Sequence, residues 1–457
     1  MTKSKSHRKP ILHITYPTGV KDITQDLPKD ELVRRLKMLA RSFQDMEQEE
    51  DNSKYEPLAV HITENYFLKH SSKDVRLLVA CCVADVFRIF APEAPYRTAP
   101  QLKTIFKFLC EQLWDLETTT SPLWKRYFYL LENLAMVKSF NICMELEDSN
   151  EIFIRLFTIF FSIVNKNHPP KVKGFMLDVM CPLISENDSV SPDLLEVILK
   201  YLVESKKVEN PNANLLAKEL IKRTATSIEP AMQTYFNNAL VLGKSSDSEL
   251  SSHTYELIYQ LNLISNNLLL AVLPQLEFKL KTSEEKERLA VTKLLGRMFS
   301  EKESDLASNN KPLWNCFLGD RLRERVHDVE DDVRIEAVQA LVSAAKKDIS
   351  VIGPEMLELV KERTLDKKWR IRKESILGLA HIYKKWCHSE EASEKDKKRL
   401  LWIKDKILHS YYLPELDDKL LVERIFTMNL VPYTLQVPER MQRLLELFVT
   451  VDDHSVK

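Results

Sequence analysis

Apolar residues recur along this chain at the spacing of a helix buried on one side. From Val75 the stripe runs through Val79, Cys82, Val83 and Val86; from Val333 through Ala337, Ala340, Leu341 and Ala344; from Ile371 through Ser375, Gly378, Leu379 and Ile382. The shared offsets of four, seven, eight and eleven line one face of an α-helix. Each stripe opens on a related triplet: Asp74-Val75-Arg76, Asp332-Val333-Arg334 and the looser Arg370-Ile371-Arg372. Small residues fall at offsets four and seven, where two helix backbones must approach closely. Val333 and Ile371 lie 38 residues apart, a period typical of helix-pair repeats. Such repeats stack into solenoids, which bind more often than they catalyse.

Further stripes predict helices around 101–116, 122–139, 150–165, 171–184, 191–204, 211–226 and 228–242. Others fall near 248–263, 266–280, 284–300, 312–326, 332–346, 355–363, 369–387, 396–410, 417–430 and 437–451. Most prolines sit at the junctions, Pro230 and Pro354 among them, where a helix start tolerates them. Residues 1–27 read as a flexible basic arm ending in a turn at Pro17-Thr18-Gly19, and residues 28–457 as one continuous array.

Composition agrees with long helices. The chain of 457 residues holds only 7 glycines, too few for many strands and tight turns. Lys and Arg number 66 against 67 Asp and Glu, so no global field draws the protein to nucleic acid or membrane. Seven cysteines without a C-x-x-C pair point to a reducing compartment, the cytosol or nucleus. The basic start has no apolar core behind it and does not read as a secretory signal. The most apolar stretch, residues 156–164, is far shorter than the ~20 residues of a membrane span.

No phosphate loop, nucleophile elbow or H-E-x-x-H motif is present, and nothing in the residues argues for an enzyme. His381, Cys387 and His388 come nearest to a metal cluster, but a zinc site needs about four ligands; helix-end residues are the simpler reading. Two features carry possible binding chemistry. Lys361, Arg363, Lys367, Lys368, Arg370, Arg372 and Lys373 form a basic patch that could hold a polyanion, or whose arginines could pair with carboxylates of the adjoining repeat. Ala91-Pro92-Glu93-Ala94-Pro95-Tyr96 follows the helix ending at Phe90. Its two prolines hold the backbone extended, a preformed ledge for a partner peptide or merely a stop between repeats.

Several longer stretches are specific to one family. They include Asp74-Val75-Arg76-Leu77-Leu78-Val79-Ala80-Cys81-Cys82 with the Ala91–Pro95 segment, Arg126-Tyr127-Phe128-Tyr129-Leu130-Leu131, Leu273-Pro274-Gln275-Leu276-Glu277-Phe278, Arg363-Thr364-Leu365-Asp366-Lys367 and Leu420-Leu421-Val422-Glu423-Arg424. Over nearly its whole length the chain resembles the N-terminal part of the "precocious dissociation of sisters" family of sister-chromatid cohesion regulators. The resemblance implies an all-α, right-handed HEAT-repeat superhelical solenoid without catalytic activity, acting in the nucleus. It implies as partners the kleisin subunit of cohesin, the releasing factor Wapl and Wapl's antagonist, with Ala91 to Pro95 docking a short peptide motif. Inositol hexakisphosphate is expected by the same resemblance. Asp418, Lys419, Glu423 and Arg424 are the candidate kleisin contact. The family continues well beyond position 457, and near 320 this chain lacks about one repeat. The alternative reading is a generic HEAT-repeat adaptor or a nuclear transport receptor, which near-neutral charge disfavours.

Overall fold

The computed structural model describes residues 14–242, 249–300, 311–389 and 391–456. Among them every regular element is helical and none is a strand. Two compact units divide the chain, the first reaching Tyr235 and the second running essentially from Phe236 onward. The boundary falls inside the helix Ala225–Leu242.

In the first unit, Lys29–Asp45, Lys73–Ile89, Trp124–Met136, Pro170–Ser185 and Pro211–Arg223 pack in succession as one layer. Ala99–Leu113, Ser149–Ile163 and Pro192–Lys200 form the layer behind. The stripe that begins at Val75 is buried throughout, from Val75 to Val86. The core is aromatic: Phe87 stacks on Phe106 at 5.2 Å, and Phe106 meets Phe140 at 5.1 Å. Cys81, Cys82, Cys110 and Cys143 lie inside this core, where burial pushes the Cys81 thiol up to about 12; they act as small apolar groups.

The second unit repeats the plan. Thr254–Ile264, Glu285–Ser300, Asp331–Lys347, Trp369–Trp386 and Leu416–Ile425 make one layer, with Leu273–Leu280, Lys311–Arg325, Pro354–Arg363 and Trp402–His409 behind it. The predicted small residues sit where these helices cross. A methyl group on Gly296 would stand 2.6 Å from the Ala340 Cβ, and one on Gly378 would stand 2.4 Å from Val342 Cγ2.

Two expectations need correction. Residues 14–27 are not a free arm: Ile23 is fully buried, its amide donates to the Tyr16 hydroxyl at 3.0 Å, and His61 Nε2 meets its carbonyl at 2.7 Å. Residues 1–13 lie outside the described residues. Pro230 is not at a junction but inside Ala225–Leu242, and Pro182 likewise lies inside Pro170–Ser185. Ser72 occupies the N-terminal cap position of the Val75 helix, but its side chain accepts no capping hydrogen bond; its amide donates to His70 Nδ1 at 3.0 Å.

Candidate binding surfaces

An arginine four positions into a helix recurs as the device that joins successive repeats. Arg288 donates from Nη1 to the carbonyls of Thr282 and Ser283 at 2.9 and 3.0 Å. Arg334 does the same to Asp328 and Val329 at 2.7 and 2.9 Å, and Arg372 to Asp366 and Lys367 at 3.0 and 3.2 Å. Arg76 repeats it in the first unit on His70 and Ser71. In the second unit the rest of each of the three guanidinium groups turns to a carboxylate of the following repeat. Arg288 grips both oxygens of Asp328 at 3.1 and 3.0 Å, Arg334 Nε lies 3.3 Å from Asp366, and Arg372 grips both oxygens of Asp418 at 3.2 and 3.0 Å. The bidentate geometry of the Arg288 and Arg372 pairs is the strong form of the ion pair. Burial works to raise the Asp328 carboxyl, but Arg288 and Arg325 outweigh it and hold that group below the ordinary range.

This ladder removes two residues from the expected sites. Arg372 is 6% exposed and Asp418 1% exposed, and they are partners of each other rather than of a ligand. Arg372 therefore leaves the polyanion patch, and Asp418 leaves the candidate kleisin contact. The buried carboxylate has its charge satisfied within the stack, as burial of an ion requires.

The remaining basic residues divide by what they touch. Lys361 reaches Glu358 at 2.7 Å and lies 4.9 Å over the Trp402 ring; Arg363 pairs with Asp366 at 3.0 Å. Lys368 and Arg370 each lie 3.2 Å from Asp331 and Asp332 of the preceding repeat. Lys367 and Lys373 are exposed and carry no carboxylate partner among the described residues. Pairing with a carboxylate of an adjacent repeat thus describes Lys368, Arg370 and Arg372, while Lys361 and Arg363 pair locally.

The helix Leu416–Ile425 presents two faces. Asp418, Leu421, Val422 and Ile425 are buried, whereas Leu416, Leu420, Glu423 and Arg424 face out; Lys419 is half-buried between them. Leu416 and Leu420 are 68% and 52% exposed. Beside them Tyr411 and Tyr412 stand out from the short turn Ser410–Tyr412, and the Tyr411 hydroxyl donates to Glu423 at 3.4 Å. A cavity of about 360 Å³ opens between Leu408, Tyr411, Tyr412, Val422, Glu423 and Phe426. Sequence reasoning missed these tyrosines and leucines. The doublet Tyr411-Tyr412 beside Pro414 was the available signal, because a polar junction seldom spends two aromatics.

In the first unit the Ala91–Tyr96 segment also splits. Pro95 and Tyr96 are buried, and the Tyr96 ring sets its edge against Phe87 at 5.6 Å. Tyr96 anchors the loop and cannot be a contact surface. Pro92 and Glu93 are exposed, with Ala91 and Ala94 half-exposed; the Ala91–Pro92 peptide is cis, and Gln48 donates to the Ala91 carbonyl. Beneath the loop, Arg88 donates to Met46 and Phe43 carbonyls at 2.7 and 2.6 Å, closing the end of the first helix. Asp85, fully buried, accepts from Arg88 at 3.2 Å, the Tyr129 hydroxyl at 2.7 Å and Asn133 at 2.9 Å. Three fixed partners make this a rigid base for a two-residue lip. Among the described residues no group of three or more His, Cys, Asp or Glu is placed to hold a metal ion, so His381, Cys387 and His388 form no such site.

The family model for sister chromatid cohesion protein PDS5 matches residues 30–321 and again 319–457. The chain belongs to the PDS5 family. It is 49% identical over 478 aligned positions to sister chromatid cohesion protein PDS5 homolog B of Homo sapiens, covering 97% of this chain and 33% of that protein. To homolog A of Homo sapiens it is 48% identical over the same extent, with 36% of that protein covered. The chain thus spans about a third of the length of these relatives. Among solved structures, a Pds5–Scc1 complex superposes with a TM-score of 0.67 at 21% identity, covering 97% of this chain and 75% of that one. That likeness establishes the PDS5 HEAT-repeat solenoid as the fold.

Proposed function

We propose that this PDS5-family chain is a non-catalytic nuclear scaffold that binds the kleisin subunit of cohesin together with release and protection factors, and so regulates sister-chromatid cohesion. The observation that carries the reading is the family match across nearly the whole chain. A relative of the same fold solved as a complex with Scc1 supports the partner class. With the family established, the transport-receptor alternative falls away.

On this reading the kleisin lies against the outward face of Leu416–Ile425, where Leu416, Leu420 and Tyr411 offer apolar area and Lys419, Glu423 and Arg424 set polarity. Exposed apolar anchors ringed by charge are the usual make-up of a binding hot spot. A Wapl-type peptide docks on the Pro92-Glu93 lip, which the buried Tyr96 holds in place. Inositol hexakisphosphate is the polyanion for Lys367 and Lys373, with Lys368 and Arg370 free to exchange their half-exposed carboxylate partners. Capture of the kleisin by residues 1–457 tests the central claim. Leu420→Asp with Glu423→Lys should abolish capture while thermal unfolding stays unchanged; capture that survives this pair would sink the assignment of the face.

A further inference from the structure

The family model is met twice, and its two matches overlap only at residues 319–321. The alignment to the human relative takes 478 positions although just 97% of this 457-residue chain takes part, so about 35 aligned positions have no counterpart here. That is close to one helix pair: Arg334 and Arg372, equivalent rungs of the ladder, are 38 residues apart. We infer that this chain lacks one whole repeat that its relatives carry at 319–321, and that Lys311–Arg325 is a composite helix joining the front of one repeat to the back of the next.

The structure shows the joint closed in phase. Leu318 precedes the joint, Leu322 and Val326 follow it, and all three are fully buried at i, i+4 and i+8. Gly319 lets the composite helix sit against both sides: a methyl group there would lie 2.5 Å from Met356 Cε and 3.7 Å from Phe299. Residues after the joint hold residues before it. Arg321 reaches Glu277 at 3.4 Å, Arg325 donates to the Leu280 carbonyl at 3.0 Å, and Asp328 takes both arms of Arg288. Glu285–Ser300 and Asp331–Lys347 then meet at the Gly296–Ala340 crossing. The rung Arg288–Asp328 therefore joins two groups that an extra unit between them would hold one repeat apart. Because each repeat recognises only its neighbour, excision of a whole unit leaves compatible ends. The chain acquires a crossing, Gly296 on Ala340, that the longer relatives do not have.

The test places the relatives' segment of about 35 residues, taken from human homolog B, between Gly319 and Asp320. Thermodynamic cycles with Arg288→Met and Asp328→Leu are then run in the chain as it stands and in the extended chain. In the chain as it stands the pair should couple by roughly tenfold in the unfolding equilibrium. In the extended chain folding should stay cooperative and the coupling should vanish. No coupling in the present chain, coupling that persists after insertion, or an extended chain that cannot fold would each overturn the inference.

Discussion

Asp418 is the sharpest place to test the ladder, because sequence reasoning placed it on a partner surface and the structure places it in the core. Asp418→Leu leaves the Arg372 guanidinium buried without its carboxylate, while Nη1 keeps the Asp366 and Lys367 carbonyls. Removing one member of a buried pair costs about 3–5 kcal/mol. Glu415, 54% exposed and also bound to Arg372, offsets a part of this by turning inward, which favours the lower end. For a unit of some 150–250 residues each kcal/mol moves Tm by about 2–4 °C, so the transition of the second unit should fall by about 6–12 °C. Arg372→Met with Asp418→Leu removes both ions and should recover most of that loss, since buried pairs exchange for apolar groups at little net cost. Differential scanning calorimetry of the four chains of the cycle reads both numbers. A single variant that melts within about 2 °C of the parent, or a double variant no better than the single, refutes the argument. Kleisin capture lost by Asp418→Leu at unchanged Tm would restore it to the partner surface.

Other expectations are direct. Pro92→Ala with Glu93→Ala should abolish binding of a Wapl-type peptide, read by fluorescence anisotropy, without moving Tm; Tyr96→Ala should instead destabilise by about 3–5 kcal/mol, the range for a large buried aromatic. Lys367→Glu with Lys373→Glu should weaken inositol hexakisphosphate binding in calorimetric titration, and Arg372→Met should affect unfolding far more than that binding. His168 is buried, with Nε2 2.9 Å from the Leu116 carbonyl and Nδ1 3.3 Å from the Asn165 amide. Burial, chiefly, lowers its pKa below the ordinary value. The folded state therefore binds fewer protons than the unfolded one just below that value. Its contribution is complete above about pH 6.5 and is lost as pH falls below it; denaturant midpoints of His168→Gln should lose that slope relative to the parent.

The helices were readable in the sequence because repeats bury one stripe each, as the stripes from Val75, Val333 and Ile371 do. What one sequence could not separate was a charged residue at a repeat edge that faces water from one that faces the next repeat. Arg372 and Lys373 are neighbours in a basic run, yet one is buried and one exposed, since a step of one residue turns about 100° around the helix. The same turn divides Asp418 from Lys419. Tyr96 was misplaced for a related reason: an aromatic after two prolines suits a ledge or an anchor equally, and only Phe87 across the loop decides. The Tyr411-Tyr412 surface has no periodic signal, because it lies on a short turn between helices.

The crossings at Gly296 and Gly378 have a mechanical consequence. With 2.6 and 2.4 Å where a methyl group would stand, adjacent backbones there are as near as side chains allow, and interiors packed so closely resist compression. Bulk added on one layer cannot be absorbed by squeezing; it must wedge that layer open and change how sharply the staircase bends. Gly378→Val should thus cost about 1–3 kcal/mol and alter the small-angle scattering profile, making two glycines the points from which the curvature of the second unit can be tuned.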